Sequence, residues 1–281
     1  MRPFVLGLVV LATMYLLLIA AAWAGQERIV WQPPRIVPYP EPGARRIAYS
    51  ADDDQPLYAY LVGDPAHAAG LLIAFHGNAE LAAWNVPWAT EVARRTGWAV
   101  LVPEYRGYGG LAGSPSYGAS QRDARAAYRV AREQLGADST RIAFYGHSLG
   151  SAIATELAAE HAPAALVLLA PFTSARDMAR AMRVLPIAAL WSVIGRVDFD
   201  TRAKVAALDV PVSVAQGEGD VVIPVRMGRA VHAAARRKGE LLIVRGAGHN
   251  DVTSVAGDEY WSWLAGALTV ARPAASSRGS R

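Results

Sequence analysis

The chain has 281 residues, 53% of them hydrophobic and 19% charged, a composition typical of a folded chain with a sizeable core and not of a disordered one. Its net charge of +4 comes from 28 Lys and Arg residues against 24 Asp and Glu residues. These charges are spread along the chain, which argues against nucleic-acid binding. The absence of cysteine excludes disulfides, thiolate catalysis and a lipid-modified N-terminal cysteine.

The first element along the chain is an uncharged apolar segment, residues 4–24. At about 1.5 Å per residue, a helix of this length crosses a hydrocarbon core of about 30 Å. Arg2 precedes it, and the tripeptide A-W-A at residues 22–24 resembles a cleavage site, so a secretory signal is the alternative. Because the run is longer than a usual signal core, a retained anchor over residues 1–25 is favoured. We expect the rest of the chain to lie outside the cytoplasm, either anchored or secreted after cleavage, because signal-like segments direct export.

The next segment, residues 26–44, is predicted to be an extended linker, because it contains five prolines between residues 32 and 43. A folded domain is predicted to begin at residue 45. Apolar alternation in residues 46–50 and 57–62, on either side of an acidic turn, predicts an antiparallel hairpin at the edge of a sheet.

Six short and nearly continuous apolar runs follow the hairpin, and helical stretches separate most of them. Strands that are buried on both faces lose polar alternation because helices cover both faces of their sheet. The pattern therefore predicts an α/β fold, a doubly wound and mostly parallel sheet with helices on both faces. The apolar runs are residues 71–75, 99–102, 142–145, 165–170, 212–215 and 241–244, and the main helical stretches are 88–95, 121–135 and 225–237.

The third run leads into the pentapeptide G-H-S-L-G at residues 146–150, and a helical stretch follows at once. A G-x-S-x-G pattern between a strand and a helix predicts a sharp turn with serine at its apex. Exposing the hydroxyl requires a positive φ at Ser148, and side chains two residues away would collide with the turning backbone, so Gly146 and Gly150 carry none. Ser148 is the predicted nucleophile. The alternative is a glycine-serine loop that merely turns the chain.

Backbone donors for an oxyanion are predicted next to this serine. The tripeptide H-G-N at residues 76–78 follows the first parallel run, at the edge of the sheet where ligands gather. The backbone N–H groups of Asn78 and Leu149 are therefore the predicted oxyanion hole.

An acid and a base are predicted in the loops after the last two runs. Asp220 follows residues 212–215, and its distance from the end of that run suits the role of the acid better than that of Glu218. Glu218 stays as the alternative acid. His249 follows residues 241–244 and is the predicted base. The chain order serine, acid, histidine is the one expected of the α/β-hydrolase arrangement.

No metal or organic cofactor is predicted. Gly107 and Gly109 begin a G-x-G pattern, but Ala112 occupies the position of the third glycine and no acidic residue ends the next strand, so we reject a dinucleotide site. His, Asp and Glu residues form no cluster at metal-ligand spacing.

Residues 171–207 interrupt the alternation of strands and helices. Apolar residues at mixed three- and four-residue spacing predict two short amphipathic helices there, either a small cap that lines an acyl pocket or ordinary core. The domain is predicted to extend over residues 45–270, and residues 271–281 are expected to form a frayed tail.

Taken together, these motifs make roughly residues 45–270 resemble the α/β-hydrolase superfamily. More closely, the chain is similar to membrane-anchored α/β-hydrolase-domain serine hydrolases, whose members include lysophospholipases and protein depalmitoylases. The resemblance implies that Ser148, Asp220 and His249 form a catalytic triad. The motifs that carry it are the N-terminal anchor, H-G-N at 76–78, Y-R-G-Y-G at 105–109, G-H-S-L-G at 146–150, Asp220 and G-H at 248–249.

The sequence thus predicts a serine hydrolase that cleaves a carboxylic ester or thioester through an acyl-enzyme. Its expected partners are a small or lipid-like acyl substrate and, through the N-terminal helix, a membrane. A serine peptidase of the same fold and a non-catalytic, membrane-tethered interaction protein are the alternatives, and no oligomeric state is predicted.

Overall fold

The structure is a computed structural model that describes residues 2–38, 42–181 and 195–269. Within these ranges one sheet contains eight strands in the order β1-β2-β4-β3-β5-β6-β7-β8. The strands are β1 (Arg45–Ser50), β2 (Pro56–Val62), β3 (Leu71–Phe75), β4 (Ala99–Pro103), β5 (Ile142–His147), β6 (Leu166–Leu169), β7 (Pro211–Gly217) and β8 (Arg237–Val244). The predicted α/β fold is confirmed.

The predicted hairpin forms one edge of the sheet. β1 and β2 are antiparallel, with Ile47 opposite Ala59, and β2 also runs antiparallel to β4. From β4 to β8 all neighbouring strands are parallel. Parallel neighbours need crossover connections, so the carboxyl ends of β3 to β8 all open at the same edge.

Helices connect the strands and cover both faces of the sheet. They are α1 (Arg2–Val30), α2 (Val86–Thr96), α3 (Tyr117–Arg129), α4 (Leu149–Glu160), α5 (Ala175–Ala181), α6 (Thr201–Ala207), α7 (Val225–Ala234), α8 (Val252–Ala256) and α9 (Asp258–Thr269). The helix predicted at residues 225–237 ends earlier, because Arg237 already pairs with Pro211 in the β7–β8 ladder.

The core lies in two layers because successive side chains of a strand point to opposite faces. Leu71, Ile73 and Phe75 pack in one layer, which includes side chains of α3, α4 and α7. Leu72 and Ala74 pack in the other layer, with side chains of α2 and α9. Every side chain of β3 is at most 3% exposed. Burial on both faces explains why these strands read as continuous apolar runs.

The N-terminal helix is longer than the apolar segment that predicted it. α1 continues to Val30, so residues 26–30 of the predicted linker are helical. Pro3–Ala21 has a mean hydropathy of 2.6 with none of its most apolar window buried, which suits a membrane span or a signal sequence by length and composition. Trp31 follows directly and is buried, with its ring centroid 6.4 Å from that of Tyr105. Trp31 therefore packs the C-terminal end of α1 against the folded domain.

Part of the predicted cap is described. Helices α5 and α6 lie in the segment 171–207, one on each side of residues 182–194. Residues 182–194 lie outside the described residues, as do residues 270–281 of the predicted tail. The cap and its acyl pocket stay predictions.

Candidate active site

Ser148 occupies a sharp turn between β5 and α4. Its backbone has φ 53° and ψ −115°, a conformation rare for a residue with a side chain and costing about 1–3 kcal/mol. The turn is held by the neighbouring strand, because Ser148 N donates to Leu169 O at 2.9 Å. The strand, turn and helix thus take the form that the G-x-S-x-G pattern predicts.

The glycines of this pentapeptide are required by close backbone approach. A Cβ at Gly150 would lie 2.1 Å from Phe75 O, and one at Gly146 would lie 2.3 Å from Gly150 O. The start of α4 therefore packs directly on the end of β3, and any side chain at either position would push them apart.

Gly150→Ala is expected to lower the melting temperature strongly or to prevent folding, because overpacking against backbone costs about 1–3 kcal/mol or more. Gly118→Ala is the matched control, since its Cβ would meet only Arg122 Nη1 at 3.8 Å. An alanine there should stabilise helix α3 slightly. Thermal unfolding of both full-length variants tests the prediction. A Gly150→Ala midpoint equal to that of Gly118→Ala would contradict it.

Three of the predicted site residues come together at the carboxyl edge of the sheet. His249 Nε2 lies 3.0 Å from Ser148 Oγ, and His249 Nδ1 lies 2.8 Å from Asp220 Oδ2. The side chain of Asp220 is fully buried, whereas that of His249 is 11% exposed. One imidazole nitrogen can thus accept the serine proton while the carboxylate orients the other.

Asp220 is held as an anion by several donors. Its Oδ1 accepts the N–H groups of Val222 at 2.9 Å and Ile223 at 2.8 Å, and its Oδ2 accepts Gln216 Nε2 at 3.3 Å. Burial opposes the charge, but the hydrogen bonds from His249 and from the two N–H groups outweigh it and lower the pKa of Asp220. Glu218, the alternative acid, is exposed and faces Arg245 at 3.9 Å instead.

The two predicted oxyanion donors lie on adjacent segments. Leu149 is the first residue of α4, where N–H groups lack an intrahelical acceptor and the helix dipole favours negative charge. A Cβ at Gly150 would lie only 2.6 Å from His76 O, so the segment that carries Asn78 packs beside the start of α4. The Asn78 side chain is fixed by Tyr108, whose hydroxyl donates to Asn78 Oδ1 at 2.8 Å.

The sequence interpretation missed Glu104, which supports the loop before Asn78. His76 Nε2 lies 2.9 Å from Glu104 Oε1, and both side chains are fully buried. Glu104 Oε2 also accepts the N–H of Ala82 at 3.0 Å. Burial disfavours the imidazolium, but the charge of Glu104 outweighs it and raises the pKa of His76. The available signal was a carboxylate directly after a buried strand.

A second acid, Glu80, was also missed. Its Oε1 lies 2.8 Å from Nδ1 of His147, whose ring centroid is 5.3 Å from that of His249. Burial opposes the charge of Glu80, but the hydrogen bond with His147 and the charges of His147 and His76 outweigh it and lower the pKa to about 2. His147 Nε2 is buried without a hydrogen-bond partner among the described residues, and the His147 ring lies beside that of His249.

The Y-R-G-Y-G loop has a structural role. Arg106 forms ion pairs with Asp53 at 2.7 Å and with Asp123 at 2.6 Å. A Cβ at Gly109 would lie 2.2 Å from Tyr58 Oη, so the loop packs tightly on β2. Over residues 2–38, 42–181 and 195–269, no group of three or more His, Cys, Asp or Glu side chains could hold a metal ion.

Similar sequences cover most of the chain. A family model described as serine aminopeptidase, S33, matches residues 66–199. An uncharacterized protein of Mycobacterium tuberculosis is 31% identical over 238 residues, which are 82% of this chain and 82% of that protein. Human alpha/beta hydrolase domain-containing protein 17B is 29% identical over 181 residues, 64% of this chain and 60% of that protein.

Solved structures share the fold. The esterase Pf2001 of Pyrococcus furiosus matches with a TM-score of 0.69 at 18% identity, over 85% of this chain and 97% of that chain. The esterase RhEst1 of Rhodococcus sp. matches with a TM-score of 0.61 at 15% identity, over 81% of this chain and 98% of that chain. At sequence identities this low, the structural similarity establishes the fold alone.

Proposed function

This chain belongs to the α/β-hydrolase superfamily, and we propose that it is a serine hydrolase that cleaves carboxylic esters or thioesters through an acyl-enzyme. The observation that carries the proposal is the position of the His249 ring, with one nitrogen 3.0 Å from Ser148 Oγ and the other 2.8 Å from Asp220 Oδ2. A nucleophile, a base and an orienting acid in this relation are the requirements of acyl transfer.

In the proposed reaction, Ser148 Oγ attacks the carbonyl carbon while His249 Nε2 takes the hydroxyl proton. The carbon–oxygen or carbon–sulfur bond then breaks as His249 donates that proton to the leaving group, which departs as an alcohol or thiol. Water attacks the acyl-serine in the same way, and the carboxylic acid is released. Asp220 holds the imidazole tautomer and stabilises the imidazolium throughout.

The negative charge that develops on the carbonyl oxygen needs donors beside Ser148. We assign this role to the backbone N–H groups of Asn78 and Leu149. The position of Leu149 at the start of α4 supports the assignment, because helix N-termini favour anions. Loss of one such donor typically lowers the rate by about 10²–10³.

We also propose that α1 is retained as a membrane anchor, with the catalytic body outside the cytoplasm. Trp23 supports retention, because Arg196 Cζ lies 4.2 Å from its ring centroid and Arg196 Nη2 donates to its carbonyl at 3.2 Å. Cleavage after residue 24 would remove these contacts. The alternative is secretion after cleavage.

A substrate series tests the ester and thioester assignment. We expect hydrolysis of p-nitrophenyl esters and acyl thioesters across a series from acetyl to palmitoyl, and none of aminoacyl p-nitroanilides. The matched family model, described as serine aminopeptidase, makes a peptidase the second candidate. Faster turnover of the aminoacyl substrates than of every ester would replace our proposal with that one.

A further inference from the structure

Exposed large apolar side chains are not scattered over this domain. Beyond α1 and the segment that follows it, those in the described ranges all lie in connections that follow the carboxyl ends of parallel strands. They are Trp84 after β3, Val221 and Val222 after β7, and Val255 after β8. We call these four residues the apolar rim. Val221 is 93% exposed although it adjoins Asp220.

Singly exposed apolar side chains need no explanation, but their restriction to one edge of the sheet suits a surface that meets an apolar partner. The remaining exposed apolar side chains identify that edge further. Ile36 and Val37 follow α1, and Val37 lies next to Gly110, the residue after the Y-R-G-Y-G loop, where an added Cβ would lie 3.1 Å from Val37 Cγ2. The rim is thus continued by the segment that leaves α1.

The end of α1 is bonded to the candidate oxyanion loop. Asn78 Nδ2 donates to Val30 O at 2.6 Å, and Gln32 N donates to Asn78 Oδ1 at 3.0 Å. Trp31, between them, is buried against Tyr105 and Phe199, with ring centroids 6.4 Å apart in both pairs. The domain is therefore attached to α1 through the same edge that carries the rim.

A second contact lies closer to the apolar span. Arg196 N donates to Gln26 Oε1 at 2.6 Å, and the Arg196 guanidinium stacks on Trp23. Trp23 is two residues beyond Ala21, the last residue of the span, or about 3 Å along a helix. Val30 is about 14 Å beyond it, whereas a headgroup layer is about 5–8 Å thick. Arg196, which contacts Trp23, thus lies at headgroup level, and the loop bonded to Val30 lies just outside the headgroup layer.

We propose that the apolar rim is a membrane-docking surface, and that its partner is the bilayer leaflet next to the C-terminal end of α1. This inference rests on the proposed function and extends it: the acyl chain of the substrate passes from that leaflet to Ser148 without crossing bulk water. Arg28 and Arg35, both exposed on the same junction, supply the positive charge that lipid phosphates attract.

Site-directed fluorescence quenching tests the docking directly. The chain has no cysteine, so Val221→Cys and Ala66→Cys each give one labelling site in the full-length protein. Ala66 is the control, because it is exposed in the connection before β3, at the opposite edge. In phosphatidylcholine vesicles containing a lipid with a nitroxide near its headgroup, we expect the fluorophore at residue 221 to be quenched and that at residue 66 to stay bright. Equal quenching, or none at residue 221, would overturn the proposal.

A kinetic arm tests substrate entry. The double variant Trp84→Asp and Val255→Asp should lower the rate on a long-chain ester embedded in vesicles by about tenfold or more, since two apolar side chains lose their burial. Its rate on a water-soluble short ester should stay near wild type. Ala66→Asp with Gln134→Asp adds the same charge at exposed positions before β3 and β5, and should leave both rates unchanged.

Equal loss on both esters, or no loss on either, would count against entry from the leaflet. If the wild-type protein hydrolyses neither ester, the proposed function fails. The quenching measurement needs no turnover and still decides whether the rim meets the membrane. Ser148→Ala should leave that quenching unchanged.

Discussion

Ser148→Ala is expected to lower kcat for a short p-nitrophenyl ester by on the order of 10⁶ and to abolish labelling by a fluorophosphonate probe. The reason is chemical: without Oγ, no acyl-enzyme can form and the His249 ring has no proton to take. The substituted methyl group fits the space of the hydroxymethyl group, so the fold should be retained. Steady-state kinetics and gel-based labelling of the full-length protein measure both effects.

Ser50→Ala is the control for this substitution, because Ser50 is exposed at the end of β1 and belongs to no part of the candidate site. Its rate and labelling should match wild type. Retained labelling in Ser148→Ala would assign the nucleophile to another residue. Absence of labelling in the folded wild-type protein would instead favour the non-catalytic, membrane-tethered interaction protein.

Asp220→Asn is expected to lower kcat by on the order of 10⁴. Asp220 Oδ2 lies 2.8 Å from His249 Nδ1, and an amide there could donate to the ring and stabilise the wrong tautomer. The developing imidazolium would also lose its counter-charge. Because both backbone donors contact Oδ1, the asparagine should keep its place in the loop. The pH-independent kcat on a short ester measures the effect.

Glu218→Gln provides the comparison, since Glu218 lies two residues away and its carboxylate faces Arg245. It should leave kcat unchanged. A large loss in Glu218→Gln together with a near-normal rate in Asp220→Asn would transfer the acid role to Glu218.

Much of the fold was readable from local pattern. β3 reads as Leu-Leu-Ile-Ala-Phe because both its faces are buried, and the parallel strands β4 to β7 could be predicted for the same reason. The turn at Ser148 was equally readable, since a serine that projects from such a turn needs glycine at residues 146 and 150 wherever the turn occurs. The order of serine, acid and histidine then followed from the strand ends.

Element ends were less predictable. The helix expected at residues 225–237 stops at Ala234, because pairing with β7 recruits Arg237 and its successors into β8. That competition depends on a partner strand about 26 residues away in the chain, so no local window contains it. The same limitation applied to α1, whose final turn beyond residue 24 is stabilised by contacts with the folded domain.

The sequence alone was thus sufficient for the parallel sheet, for the serine turn and for the residues proposed as nucleophile, acid and base, because each depends on chemistry within a few positions of a strand end. It did not contain the pairing of His76 with Glu104, the pairing of His147 with Glu80, or the attachment of Val30 and Gln32 to Asn78. These contacts join separate segments of the chain. Their energies depend on burial and distance, which exist only once the sheet has assembled.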